Sequence, residues 1–163
     1  MFAGFLLRDL HDSERAKTEL SVAIRLLPEN PDPKLEYARC CLFSRNFVDA
    51  ERILDSISDT SEFHERVKTK LVDLKIQTNC RKADFYATNQ EPIKALESIE
   101  SLRIYFDGIN NPDEKMFQRL TRLKRTVTAV KNSLASHAAY ERGVAVQQWI
   151  NDRCSNISGE KDS

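Results

Sequence analysis

Apolar residues recur at helical spacing along almost the whole chain. Asp12-Ser13 predicts a cap for a helix running to about Leu27, with Leu20, Ala23, Ile24 and Leu27 as its inward stripe. Pro28-Glu29-Asn30-Pro31-Asp32-Pro33 reads as a turn, and the next helix spans about 33–44 with Tyr37, Ala38, Cys41 and Leu42 inward. Arg45-Asn46 breaks it, Asn46 supplying the tight turn, and Phe47, Ala50, Ile53, Leu54 and Ile57 form the following face. Residues 58–62 read as loop and cap. A long helix over about 61–88 carries two stripes, Phe63, Val67, Leu71 and Leu74 on one side and Val72, Ile76, Cys80 and Ala83 on another. Two stripes predict packing on two sides. Pro92 opens a helix with Ile93, Leu96, Ile99, Leu102 and Phe106 inward, and Asp107 to Pro112 is a strong turn signal. Met116, Leu120, Leu123, Val127, Val130 and Leu134 form a short heptad-like seam, read as core. After a break near Ser136-His137 a last helix places Tyr140, Val144, Gln147 and Trp149-Ile150 inward. No strict alternation of β-branched residues occurs, so the fold class expected is all-α.

The helices repeat. Ala16, Leu20 and Ala23 align with Ala50, Leu54 and Ile57 at an offset of 34 residues. That period is the signature of stacked helix-turn-helix units, in which small residues let helices approach and large ones fill the gaps.

On these residues the chain resembles the tetratricopeptide repeat family. Ala16, Leu20, Ala23 and Pro28 match the family's second helix, and Ala3, Gly4 and Leu7 the first helix before it. Tyr37, Ala38, Cys41, Phe47, Ala50, Leu54 and Ile57 supply the next repeat, with Cys41 in place of an aromatic and Ile57 in place of Ala. The resemblance is clear over residues 3–57. Beyond them it degenerates into longer hairpins at about 61–107 and 112–154, Ala50 and Ala95 being 45 apart. It implies a right-handed α-solenoid of antiparallel hairpins, about eight helices including a partial first one. Residues 1–154 are expected to form one domain and 155–163 a polar, disordered tail. In this register Met1 falls inside a hairpin, so the chain is expected to be a piece of a longer protein, or to dock another chain or domain through its N-terminal face.

Composition narrows the function. Lys+Arg and Asp+Glu are 25 each, so no global field points to nucleic acid or membrane, and no apolar run reaches membrane-spanning length. Cys40, Cys41, Cys80 and Cys154 lack metal spacing and read as reduced thiols of a cytoplasmic protein. His11, His64 and His137 lie far apart, and no phosphate loop or nucleophile elbow occurs. No catalytic residue, metal or cofactor is expected. Charge alternates along the chain. Arg66–Lys82 holds six basic and one acidic residue and Lys115–Lys131 six basic and none, whereas 45–65 and 91–114 each hold two basic and six acidic. The resemblance puts the basic helices on the concave face, so Arg66, Lys70, Arg81, Lys82, Lys115, Arg119, Arg122 and Arg125 become candidate contacts to a protein or acidic peptide, joined by Arg8, Arg39 and Phe43. The competing reading is that basic and acidic helices merely neutralise one another. A protein-interaction module, as scaffold, adaptor or sensor, is the function expected. Two alternatives are a regulatory part of a larger effector such as a nucleotide-binding switch protein, and a nucleic-acid-binding repeat. The last is disfavoured because only Phe117 interrupts the basic residues of its stretch.

Overall fold

The computed structural model describes residues 13–57, 65–108 and 113–161, with side chains as far as Asn156. Arg8, the partial first helix, Phe63, His11 and His64 lie outside the described residues. Helices follow in the order α1 (Ser13–Leu26), α2 (Pro31–Phe43), α3 (Phe47–Asp55), α4 (Glu65–Thr88), α5 (Pro92–Glu100), α6 (Arg103–Asp107), α7 (Glu114–Lys131) and α8 (His137–Lys161), with no strand among the described residues. The fold is all-α and of the α-solenoid class. The chain divides into two units, Met1–Thr78 and Asn79–Ser163, where the sequence was read as one domain over 1–154.

In the first unit α2 packs between α1 and α3. Pro31 and Pro33 fit the first turn of α2, where a missing N–H costs nothing. Asn30 Oδ1 caps it by accepting from the Asp32 amide at 3.1 Å, so α2 starts two residues earlier than the pattern suggested. Both flanks of α2 are covered: Leu35, Ala38, Cys40, Cys41 and Leu42 are all buried. Cys40 was not on the expected inward face. Burial pushes its thiol up to about 11 and raises that of Cys41 as well, since a thiolate there would lack solvation. Ala16 and Ala50 are both fully buried, as their shared place in the 34-residue period required. Leu27 is 57% exposed, outside the stripe assigned to it, because the helix ends at Leu26 and the turn carries it outward.

The turn after α2 is a Schellman motif. Arg45, at φ 59°, takes the left-handed position, its amide donates to the Leu42 carbonyl at 3.2 Å, and the Asn46 amide donates to the Cys41 carbonyl at 2.8 Å. Asn46, expected to make the turn, instead caps α3: its Oδ1 accepts from the Asp49 amide at 3.3 Å. The turn after α4 copies this one 45 residues later. Gln90 sits at φ 60°, with Gln90 N–H to Ala87 O at 3.3 Å and Glu91 N–H to Tyr86 O at 2.8 Å. The departure from the 34-residue period lies in helix length: the described part of α4, Glu65–Thr88, already exceeds the 13 residues of α2, and the two turns stand 45 residues apart, eleven more than the period. The eleven extra residues are about three α-helical turns, so the helix leaves its long stretch on the same face.

In the second unit α7 packs on α8, and α5 packs on both. The expected helix over 92–106 is broken. At Ser101 the hydroxyl bonds the Glu97 carbonyl at 2.9 Å, the Leu102 amide tightens onto Ile99 O at 3.0 Å, and the chain restarts as α6. Leu102 and Phe106 remain buried, but Ile93, placed inward by the pattern, is 40% exposed. In α8 the buried positions are Ala139, Gly143, Val146, Trp149 and Ile150; Trp149 and Ile150 are inward as expected, whereas Tyr140 and Val144, also expected inward, are 39% and 37% exposed. The turn before α8 explains the shift. Residues 132–136 contain no left-handed residue, and Ser136 Oγ accepts from the Ala139 amide at 3.1 Å, so this turn is not a third copy, and the first turns of α8 bury Ala139 and Gly143 in place of Tyr140 and Val144. A Cβ at Gly143 would stand 3.2 Å from Leu134 Cδ1, so a small residue there sets how closely α8 approaches α7. The helix continues to Lys161, into the segment expected to be a tail.

Candidate partner-binding faces

In the first unit α2 is buried on both flanks, which leaves one open face carrying Asp32, Glu36, Arg39 and Phe43 at spacings of four, three and four. Two of the predicted contacts, Arg39 and Phe43, are thereby brought together one turn apart. Phe43 is 53% exposed. Arg39 Nη1 donates to Oε1 and Oε2 of Glu36 at 3.0 and 3.2 Å, which holds the guanidinium toward Glu36. Arg66 is exposed and Lys70 half-buried on the first turns of α4, and the predicted Val72 is 37% exposed.

In the second unit the predicted cations fall on two helices, Arg81 and Lys82 on α4 and Lys115, Arg119, Arg122 and Arg125 on α7. Arg81 is exposed and Lys82 half-buried. On α7, Lys115, Arg119, Arg122 and Thr126 lie at spacings of four, three and four, on one stripe beside the buried seam of Leu120, Leu123, Val127 and Val130. Arg119 is half-buried along that stripe and Arg125 is exposed one turn beyond Arg122. Arg122 Nη2 meets Asp84 Oδ2 at 2.8 Å, and the Thr126 hydroxyl donates to Asp84 Oδ1 at 2.9 Å. One carboxylate is therefore shared between a guanidinium and a hydroxyl, and it ties α4 to α7.

Neither Asp84 nor Thr126 stood out in the sequence. A signal for them exists in the spacing of contacts. Thr126 to Asp84, Arg142 to Glu100 and Trp149 to Asp107 are all hydrogen bonds across 42 residues. One offset for contacts made by successive hairpins is what repeat stacking produces, and it supports the longer units expected after residue 60. The acidic stretch also has its own partners. Glu100 pairs with Arg142 at 2.7 Å and Asp107 with Arg153, both on α8, while Lys75 reaches Asp55 at 3.7 Å in the first unit. Charge alternation is thus partly used up in pairing between helices, as the competing reading held.

Asp107 is engaged by two side chains of α8. The Trp149 indole N–H donates to it at 3.0 Å, Arg153 pairs with it, and the Arg103 guanidinium lies 5.6 Å from the Trp149 ring centre. The indole hydrogen bond and then the arginines hold its carboxyl below the usual range. Among the described residues no group of three His, Cys, Asp or Glu side chains is placed to hold a metal, and no helix is long and apolar enough to cross a membrane.

Residues 7–74 match the tetratricopeptide repeat family. No curated protein and no solved structure matches the chain. The family match covers α1 to α3 and the start of α4, the stretch in which Ala16 and Ala50 stand fully buried 34 residues apart, and the chain is a tetratricopeptide-like helical repeat protein.

Proposed function

We propose that this protein is a non-catalytic interaction module whose open helix faces seat a segment of a protein partner. Repeats of this family generally mediate protein–protein interaction. The observation that carries the reading is Phe43, half-exposed one helical turn from Arg39, whose guanidinium Glu36 holds, on the face of α2 left open among the described residues. A pre-positioned aromatic next to an arginine is the chemistry of an interface anchor, because it contributes apolar area and a directed charge with little entropy left to lose. The basic stripe of α7 adds steering toward an acidic segment. Scaffold, adaptor or sensor roles share this requirement for a docking face.

The test is affinity capture from the native source with wild type and with Phe43→Ala and Arg39→Gln. A partner that wild type retains is expected to bind Phe43→Ala about 30-fold more weakly, the size of a moderate hot-spot loss, with helicity unchanged. Equal retention by both variants would remove this face from the reading.

A further inference from the structure

We propose that Asp84 is an internal stand-in for the acidic group of a partner, so that the α7 row binds clustered carboxylates of a protein segment only by displacing it. This rests on the interaction-module reading but concerns a different face. Three observations support it. First, the geometry displays the ligand chemistry directly: Arg122 at 2.8 Å and Thr126 at 2.9 Å divide the two oxygens of one carboxylate between them. Second, this arrangement stays open to solvent. The Arg122 side chain is 74% exposed and that of Asp84 29%, so the pair is a surface contact that an incoming group can reach, and exposed ion pairs are weak. Third, the surrounding charge is one-sided. Residues 115–131 hold six basic and no acidic side chains, and Arg119 and Arg125 lie one turn to either side of Arg122.

A single carboxylate gains nothing at this place, since it only replaces one already present. Two carboxylates do better, because the second reaches Arg125, exposed one turn beyond Arg122, while Asp84 meets Arg122. Arg122 to Arg125 spans about 4.5 Å of helix rise. In an extended segment alternate residues are about 6.6 Å apart, a difference that two long arginine side chains take up, so two acidic residues separated by one other fit the pair. Asp84 thereby sets a threshold, rejecting isolated acids and admitting acidic clusters. A polyanion such as single-stranded nucleic acid is the rival occupant, and its bases would need aromatic platforms that this stripe does not present.

The experiment uses the full chain with a ten-residue oligoglutamate peptide and a single-stranded oligonucleotide of equal charge, at physiological salt. Asp84→Asn keeps the shape and removes the competing charge, and is expected to bind the peptide about threefold to tenfold more tightly. Arg122→Gln in the same background should abolish that gain. Because Asp84→Asn also removes a contact between α4 and α7, a second measurement uses wild type: the Arg122 side-chain Nε–H resonance should shift on peptide titration. Unchanged or weaker peptide binding by a folded Asp84→Asn protein, an Arg122 resonance that does not move, or tighter binding of the oligonucleotide than of the peptide would each overturn the proposal. The Phe43 variants leave this measurement untouched, so failure here is distinct from failure of the docking face on α2.

Discussion

At the scale of single residues the turns carry the most specific information. Arg45 and Gln90 are held at φ 59° and 60°, where a Cβ crowds the following carbonyl. The Schellman hydrogen bonds compensate for that cost without removing it. Arg45→Gly and Gln90→Gly are therefore expected to stabilise the protein by about 0.5–1 kcal/mol each, the relief of strain exceeding the entropy lost by glycine. Urea denaturation followed by circular dichroism reads this, and lower midpoints would show that the side chains contribute more than their backbones lose. The sequence marked the Arg45-Asn46 break but not that Arg45 takes the left-handed position, and it left Gln90 unmarked. Asn46 was the better candidate for a left-handed turn by type, yet its side chain is engaged at the cap of α3.

At the scale of elements the contact between α6 and α8 is the one most easily watched. Trp149 is the single tryptophan of the chain, and its indole N–H donates to Asp107. Asp107 ionises more readily in the fold than in an unfolded chain. Its contribution is thus fully present above the ordinary carboxylate range and is lost as pH falls through the lowered value of the folded state. Trp149 emission is expected to stay constant down to about pH 4 and to change below it. In Asp107→Asn the acid step should be largely absent and the emission shifted even at neutral pH, because Arg153 no longer holds the group in place. An acid step of full size in that variant would assign it to other carboxylates. Caps set the helix starts at Asn30 and Asp113, each accepting a backbone N–H of its helix, and at Asn30 the cap with Pro31 begins α2 two residues before the pattern placed it. Another boundary departed from the pattern at Ser101, where competition by a hydroxyl for the backbone ended α5.

At the scale of the whole molecule, stability in a repeat protein is a sum over neighbours. Ala50 is fully buried in the first unit, and Ala50→Asp forces a charge into a close helix contact, a cost of about 4 kcal/mol or more. Hydrogen exchange is expected to show protection lost over α1 to α3 while α7 and α8 keep theirs. Wild-type protection throughout would mean that Ala50 does not sit at the helix contact its repeat position demands.

The sequence by itself determined the helices, the class of fold and the placing of the small residues, because these follow from local periodicity and from steric rules that act within a few residues. Ala16 and Ala50 are fully buried at the places the repeat assigned them. It also brought Arg39 and Phe43 to one face, since four residues along a helix suffice for that. Only the tertiary structure decided that the first turns of α8 bury Ala139 and Gly143 rather than Tyr140 and Val144, because the turn before it has no left-handed residue to repeat the earlier geometry. It alone put Asp84 between Arg122 and Thr126, a contact 42 residues long in sequence. A charge states its sign in the sequence but not its partner, and which partner it meets depends on how one hairpin stacks on the next.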